Sequence, residues 1–440
     1  MKMVRRILSY VVVVAALVAA AVWLADRPGA VTIHWQGWRV DTSVPVLVMA
    51  VLLSVALVAL VFRVIGGILR APGHWLAARR GRRTRDGYRA LSDGLAAIAA
   101  GDTKQARKLA HRADKLLEDH SLTGLLTAQA AELSGDEIEA ERRFTDMVAR
   151  PETAFLGLKG LLHLALKKDE RVAALDYARR AWALDSQTDG LATTLFDLQA
   201  RAGQWAEAEA TLAEAKKRGA LSGADLLHFQ ALALLERSRL AEAAGDGADA
   251  LKLAIRAHQA DFSLIPAAAR ASALLHRAGK ERKAQAVIQS SWEVAPHPLL
   301  VDASIDLAPA ETPLQRVKRL EKLVKANADS PDGHIALAEA ALAAKLWGQA
   351  RTHLEKACEQ RPSAGLFILL ARLEREERND EAAARTWLAK AATAPAEPAW
   401  ICNACGKAAD AWSVQCPNCG AVDKLDWRQP VTGLLPAASL

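Results

Sequence analysis

A phrase in which a turn residue is followed five positions later by alanine recurs through most of the chain: GDTKQA, GDEIEA, KDERVA, GQWAEA, GDGADA, GKERKA, KLWGQA and RNDEAA. Its closing alanines are Ala106, Ala140, Ala173, Ala208, Ala250, Ala284, Ala350 and Ala383, at successive spacings of 34, 33, 35, 42, 34, 66 and 33. The interval of 66 divides into two of 33, with a degenerate unit between in which TPLQRV puts Val317 where alanine is expected. The interval of 42 is one period carrying an insertion of eight residues, expected around Arg237 to Ala244. Nine units fill residues 88–395, and a period of this length is the signature of a stacked array.

Each unit reads as two antiparallel helices. HIALAEAALAA is an apolar first helix, KLWGQ a turn and ARTHLEKACEQ a second helix that Pro362 stops twelve residues after Ala350. The same offset gives Pro296 after Ala284 and Pro395 after Ala383. A small residue at the end of the phrase lets two helices approach closely, where a larger one would hold them apart. Four residues on, the second helix should present a core residue: Phe144, Tyr177, Leu212, Ile288, Leu354 and Trp387. The period, the small and large positions and the terminal proline resemble the tetratricopeptide repeat. The resemblance implies an α-solenoid whose concave groove binds extended peptides or partner proteins, with no call for catalysis. Aromatic residues at only 5% of the chain fit helices built largely from alanine and leucine.

Two uncharged runs precede the array, at residues 7–25 and 44–62. Each has nineteen positions and so reaches about 28 Å as a helix, enough for a bilayer core. A cleaved signal peptide is the rival reading of the first. The run is long for that, no small-residue cleavage site follows at once, and a second span comes close behind. Lys2, Arg5 and Arg6 before the first run, and Arg70, Arg79, Arg80, Arg82, Arg83 and Arg85 after the second, put both ends on the cytoplasmic side. The connecting segment alternates as VTIHW and WRVDT around Gln36-Gly37, a two-residue hairpin turn, with Trp35 and Trp38 at the interface. The arginine run is read as a topology determinant, the alternatives being a nucleic-acid patch or an anchor to anionic lipid. A net charge of +7 is modest for 440 residues, and no nucleic-acid partner is expected.

Four of the five cysteines close the chain as Cys402, Cys405, Cys416 and Cys419, spaced C-x2-C-x10-C-x2-C. Two CxxC turns suit four thiolates around one tetrahedral zinc, and Gly406 and Gly420 after each pair suit the tight turn of a metal knuckle. A segment this small rarely stands without a metal or disulfides, and the expected reducing compartment disfavours disulfides. Iron accepts the same four thiolates, and a redox role for the pairs is the weaker alternative. Glycine where CxxCH needs histidine excludes c-type haem attachment. Trp400, Trp412 and Trp427 are expected to supply a small apolar core. Cys358, beside Ala357, is read as a packed residue. The G-x-G-x-x-A match at Gly245 falls on a repeat turn with no strand before it, so it is no dinucleotide site. His34, His163 and His353 are read as ordinary surface or packed residues.

The CPNCG knuckle and its spacing resemble rubredoxin-type zinc ribbons such as that of the LapB family, adaptors in lipopolysaccharide assembly. Two spans joined by a loop carrying PGAVTIHWQGWRVDTS, then a basic stretch and helical repeats, resemble the HemY N-terminal family of proteobacterial inner-membrane proteins. The expected fold is thus all-α: a two-span anchor over 1–70 with a short periplasmic hairpin, a basic juxtamembrane linker over 71–87, repeats over 88–395, a zinc ribbon over 396–428 and a flexible tail over 429–440. The HemY resemblance implies an inner-membrane scaffold, not an enzyme. Its partners would be the bilayer and membrane-associated enzymes of late protohaem synthesis. A LapB-like envelope adaptor is the alternative within that class, and a haem-binding or redox protein the alternative outside it.

Overall fold

The computed structural model describes residues 29–117, 120–186, 188 and 190–430, together with Val11, Val12, Ala15, Ala16, Val18, Ala19, Val22 and Trp23. Most of the first expected span, residues 7–25, and the last ten residues of the expected tail lie outside the described residues. The chain divides into two compact units, Met1–Ser134 and Gly135–Leu440.

In the first unit, β1 (Ala30–Trp35) pairs antiparallel with β2 (Trp38–Ser43), and Trp35 stands opposite Trp38. Gln36 and Gly37 between them have φ of 48° and 88°, the two left-handed residues that a tight hairpin turn demands. Pro45 lies in the first turn of the helix that follows, where its missing N–H costs nothing, and the helix runs unbroken from Val44 to Ala99. Its stretch Val44–Ile65 has a mean hydropathy of 3.0 with no part of it buried. At about 1.5 Å per residue it is long enough to cross a bilayer. The far end of the same helix turns back at Gly101 and packs on Thr103–Leu116.

In the second unit, helices alternate as first and second members of successive units. The first members are Ala154–Lys167, Leu191–Arg201, Gly223–Ala243, Ile265–Arg277, Pro298–Asp306, Pro331–Ala343 and Ala364–Arg378. What fixes the period is one backbone residue. The left-handed conformation recurs at Gly101, Gly135, Asp169, Gly203, Gly245, Gly279, Lys345 and Asn379. Five positions on stand Ala106, Ala140, Ala174, Ala208, Ala250, Ala284, Ala350 and Ala384, all 0% exposed. At several of these turns the next backbone N–H reaches back to the first helix, as Asp102 N to Ala97 O at 2.9 Å and Asp246 N to Ala241 O at 2.9 Å. That bond ends one helix with a Schellman turn, while the side chain of Asp102, Asp136 or Asp246 caps the next.

Two expected positions are thereby corrected. Ala173 and Ala383 are only partly buried, and the close-packed residues are their neighbours Ala174 and Ala384. In KDERVA and RNDEAA the left-handed residue is the second of the phrase, Asp169 or Asn379, so the second helix starts one residue later. The shift also moves Tyr177 and Trp387 off the central core to partly buried positions, whereas Phe144, Leu212, Ile288 and Leu354 are at most 2% exposed. The degenerate unit behaves as its valine requires. Pro298–Asp306 packs on the two helices before it rather than closing tightly on Pro313–Val324, which carries Val317. The inserted residues are helical: Gly223–Ala243 has 21 residues where its predecessor Leu191–Arg201 has 11.

Candidate metal centre and the repeat face it covers

The C-terminal module is a three-stranded antiparallel sheet in the order β4 (Ala408–Ala409), β3 (Ala399–Cys402), β5 (Leu425–Arg428). Its two CxxC segments fold alike. Gly406 N donates to Cys402 O at 2.8 Å and Gly420 N to Cys416 O at 2.9 Å, while Cys402 N and Cys416 N donate to Lys407 O and Ala421 O. Gly406 and Gly420 take φ of 72° and 70°, so a side chain at either would strain its knuckle. The four Sγ atoms lie within 4.8 Å of one another. Cys402 Sγ is 3.8 Å from Cys419 Sγ, and Cys405 Sγ is 3.8 Å from Cys416 Sγ. A tetrahedron with metal–sulfur arms of about 2.3 Å has edges of about 3.8 Å, so the spacing fits one metal ion and is far beyond a disulfide. Burial pushes the Cys402 thiol up to about 12, while the backbone N–H of Lys407 draws Cys405 down to about 7. Cys402, Cys405, Cys416 and Cys419 would hold a divalent cation, whose charge would let all four ionise.

The module does not stand clear of the repeats. Val414 and Val422 belong to the same apolar cluster as Phe196, Leu232 and Leu235 of the array, with Trp412 and Phe229 packed at its edge. Gln415 Nε2 donates to Ala200 O at 2.6 Å, across 215 positions of sequence. His228 bridges the two parts: Nδ1 lies 2.6 Å from Asp261 and Nε2 lies 2.9 Å from Asp423. The hydrogen bond to Asp261, then that to Asp423, raises His228 to about 10, so it is cationic at neutral pH. Burial works against ionised Asp261, yet His228 and Ser263 together hold it at about 2. Further along, the guanidinium of Arg239 sits over the Trp412 ring at 5.5 Å. His228 and Arg239 are both on the lengthened helix, so that helix provides much of the module's seat, Arg239 from its inserted end and His228, Phe229, Leu232 and Leu235 from the stretch before it.

At the other edge His297 packs against two of the module's tryptophans, with ring centroids 5.1 Å from Trp400 and 4.7 Å from Trp427. Its Nδ1 accepts the N–H of Leu299, Nε2 is buried without a partner, and burial drives its pKa down to about 4. Glu397 accepts the N–H of Gly365, and Gln429 donates to Pro362 O, which ties the segments flanking the module to a later unit. Nearly all these array partners belong to first helices or to the turns that enter them. A cleft of about 250 Å³ stays open beside Trp427, lined by Asp302, Asp332, Glu339 and Arg361. Arg361 is paired with Asp332, and burial raises the carboxyls of both Asp302 and Glu339.

All four predicted cysteines come together. Trp400, Trp412 and Trp427 do pack on the cysteine cluster, but they also form the contact with the repeats. Cys358 is half-buried, with its thiol raised by burial. Sequence reasoning missed His228 and His297, which have no motif around them. It also missed that His353 meets His334 from a facing helix, with Nδ1 atoms 3.1 Å apart. Among the described residues no third ligand joins that pair, and the only cluster of three or more metal-ligating residues is the cysteine set.

A four-cysteine module seated on tandem helical hairpins, in a chain with a helix able to cross a membrane, defines a tetratricopeptide-like repeat protein of the kind that mediates protein interactions. Residues 29–135 match the family model described as the HemY protein N-terminus, and the chain belongs to one family with the near-full-length relative that follows. "Probable magnetosome protein Mms48" of Magnetospirillum gryphiswaldense is 30% identical over 448 residues, covering 99% of this chain and 97% of that protein. Protein HemY of Escherichia coli K12 is 27% identical over 143 residues, covering 32% of this chain and 35% of that protein. Among solved structures, a tetratricopeptide repeat protein from Parabacteroides merdae is 16% identical, with 55% of this chain and 93% of that chain covered at a TM-score of 0.28.

Proposed function

We propose that this protein is a non-enzymatic inner-membrane adaptor that gathers enzymes of late protohaem synthesis, with zinc held by Cys402, Cys405, Cys416 and Cys419. Two spans place both termini and the repeats in the cytoplasm, as the flanking arginines support. The carrying observation is the architecture itself: stacked hairpins bury their apolar sides against one another, and the His228–Asp261 and His334–His353 pairs lie in contacts within the array. The match to the HemY N-terminus supports the haem assignment. The sulfur spacing supports zinc, and iron in the same site would show as thiolate-to-iron absorption in the visible.

Crosslinking mass spectrometry in native membranes tests the adaptor reading. Enzymes of late haem synthesis should crosslink to the repeats, and recovery of only lipopolysaccharide-assembly proteins would overturn the haem assignment. A second reading rests on the near-full-length relative named as a magnetosome protein. Under it, the same scaffold serves a magnetosome, and co-localisation with one in place of haem enzymes would favour it.

A further inference from the structure

An array of stacked hairpins presents long faces to its surroundings, and one of them is the face made by first helices. Between Phe196 and Leu264 that face is covered by the chain's own residues 412–423. Three observations bear on what holds them there. Val414 and Val422 fill an apolar surface that includes Phe229 and Leu232, a surface that would otherwise face water. Polar anchors stand at both ends, Gln415 on Ala200 O and Asp423 on His228. The same segment carries Cys416 and Cys419, whose sulfurs lie across from those of Cys405 and Cys402. Within the segment, regular backbone pairing is limited to the bridge between Gln415 and Val422 and the knuckle bonds. So short a segment has no core of its own to set its shape.

We infer that docking of the module on the first-helix face is conditional on metal at the four cysteines, so that the loaded module is a lid over an apolar strip of that face. Loaded, residues 412–423 hold the shape that fits the lengthened helix Gly223–Ala243 and cover the apolar strip beneath. Stripped of metal, they lose that shape and vacate the strip, leaving the array folded. The inference rests on the adaptor reading and adds a control to it.

Side-chain footprinting of the full-length protein in lipid nanodiscs tests this, comparing zinc-loaded protein with protein stripped by a chelator and metal content followed by mass spectrometry. Phe229 and Trp412 should be labelled several-fold more strongly after stripping. Trp292, 0% exposed inside another cluster, should stay protected. Unchanged labelling at zero metal would sink the inference. So would Trp292 becoming labelled in step, because the metal would then hold up the array and not a lid. Phe229→Asp approaches from the array side: Trp412 should become labelled while the metal stays bound, and a protected Trp412 at full occupancy overturns the lid. None of these readings needs a partner, so a failed crosslinking experiment leaves the lid standing, and a failed footprint leaves the adaptor standing.

Discussion

The repeat array and the four-cysteine module reach order by opposite routes. The array spreads its stability over many equivalent contacts: at each of eight turns a left-handed residue is followed five positions later by a fully buried alanine, and no single one is decisive. The module concentrates its stability in four sulfurs, two glycine knuckles and one borrowed surface. Losing one repeat contact should therefore loosen a neighbourhood, while losing one sulfur should remove a domain.

The strongest challenge to that contrast is Cys416→Ser. Structural zinc in small modules contributes on the order of 10 kcal/mol to their folding, so the variant should lose its metal and unfold beyond residue 396. Far-ultraviolet circular dichroism of the helices should nearly match the parent. Collapse of the helical signal together with the metal would show that the array depends on the module and that the two routes are one.

A gentler probe acts inside the array. Gly157 lies where two helices cross, and a Cβ there would stand 2.6 Å from the carbonyl oxygen of Phe144 and 2.9 Å from the backbone N of Val148. Gly157→Ala gains up to about 1 kcal/mol of helix propensity, against about 1–3 kcal/mol for overpacking where the opposing atoms are backbone and cannot turn away. We expect a net loss on the order of 1 kcal/mol in chemical denaturation, with metal content unchanged. A stabilised variant would mean that the hairpins slide past one another more freely than close packing allows.

The same contrast explains what was legible beforehand. Repetition makes a weak signal strong, so the period, the insertion and the degenerate unit could be read from spacing alone. The one-residue slip at Ala173 and Ala383 arose because Asp169 and Asn379 adopt the left-handed conformation that glycine supplies at most other turns. Four cysteines in two CxxC pairs are legible because metal geometry fixes their spacing. The docking was not, since it joins Gln415 to Ala200 and His228 to Asp423, pairs about half the chain apart with no local pattern. The insertion was visible as a length, but the role of the helix that carries it as the module's seat needed the fold.

The smallest effect concerns pH, and it separates the two edges of the docked module. His228 has a folded pKa of about 10 against an ordinary value of 6.5. Its contribution is fully present below pH 6.5 and is lost as pH rises from there toward 10. His297 has a folded pKa of about 4, so the folded state resists the proton that the unfolded state accepts, and stability falls as pH drops from 6.5 toward 4. Together they give docking its optimum near pH 6.5, with separate alkaline and acid limbs. His228 is a third exposed, so solvent screening keeps its limb within about 1 kcal/mol. His228→Leu should flatten the alkaline limb of Trp412 footprinting and leave the acid limb in place, while His297→Leu should do the reverse. If either variant flattened both limbs, the two edges would release as one unit, and the thiolates rather than the histidines would set the pH response.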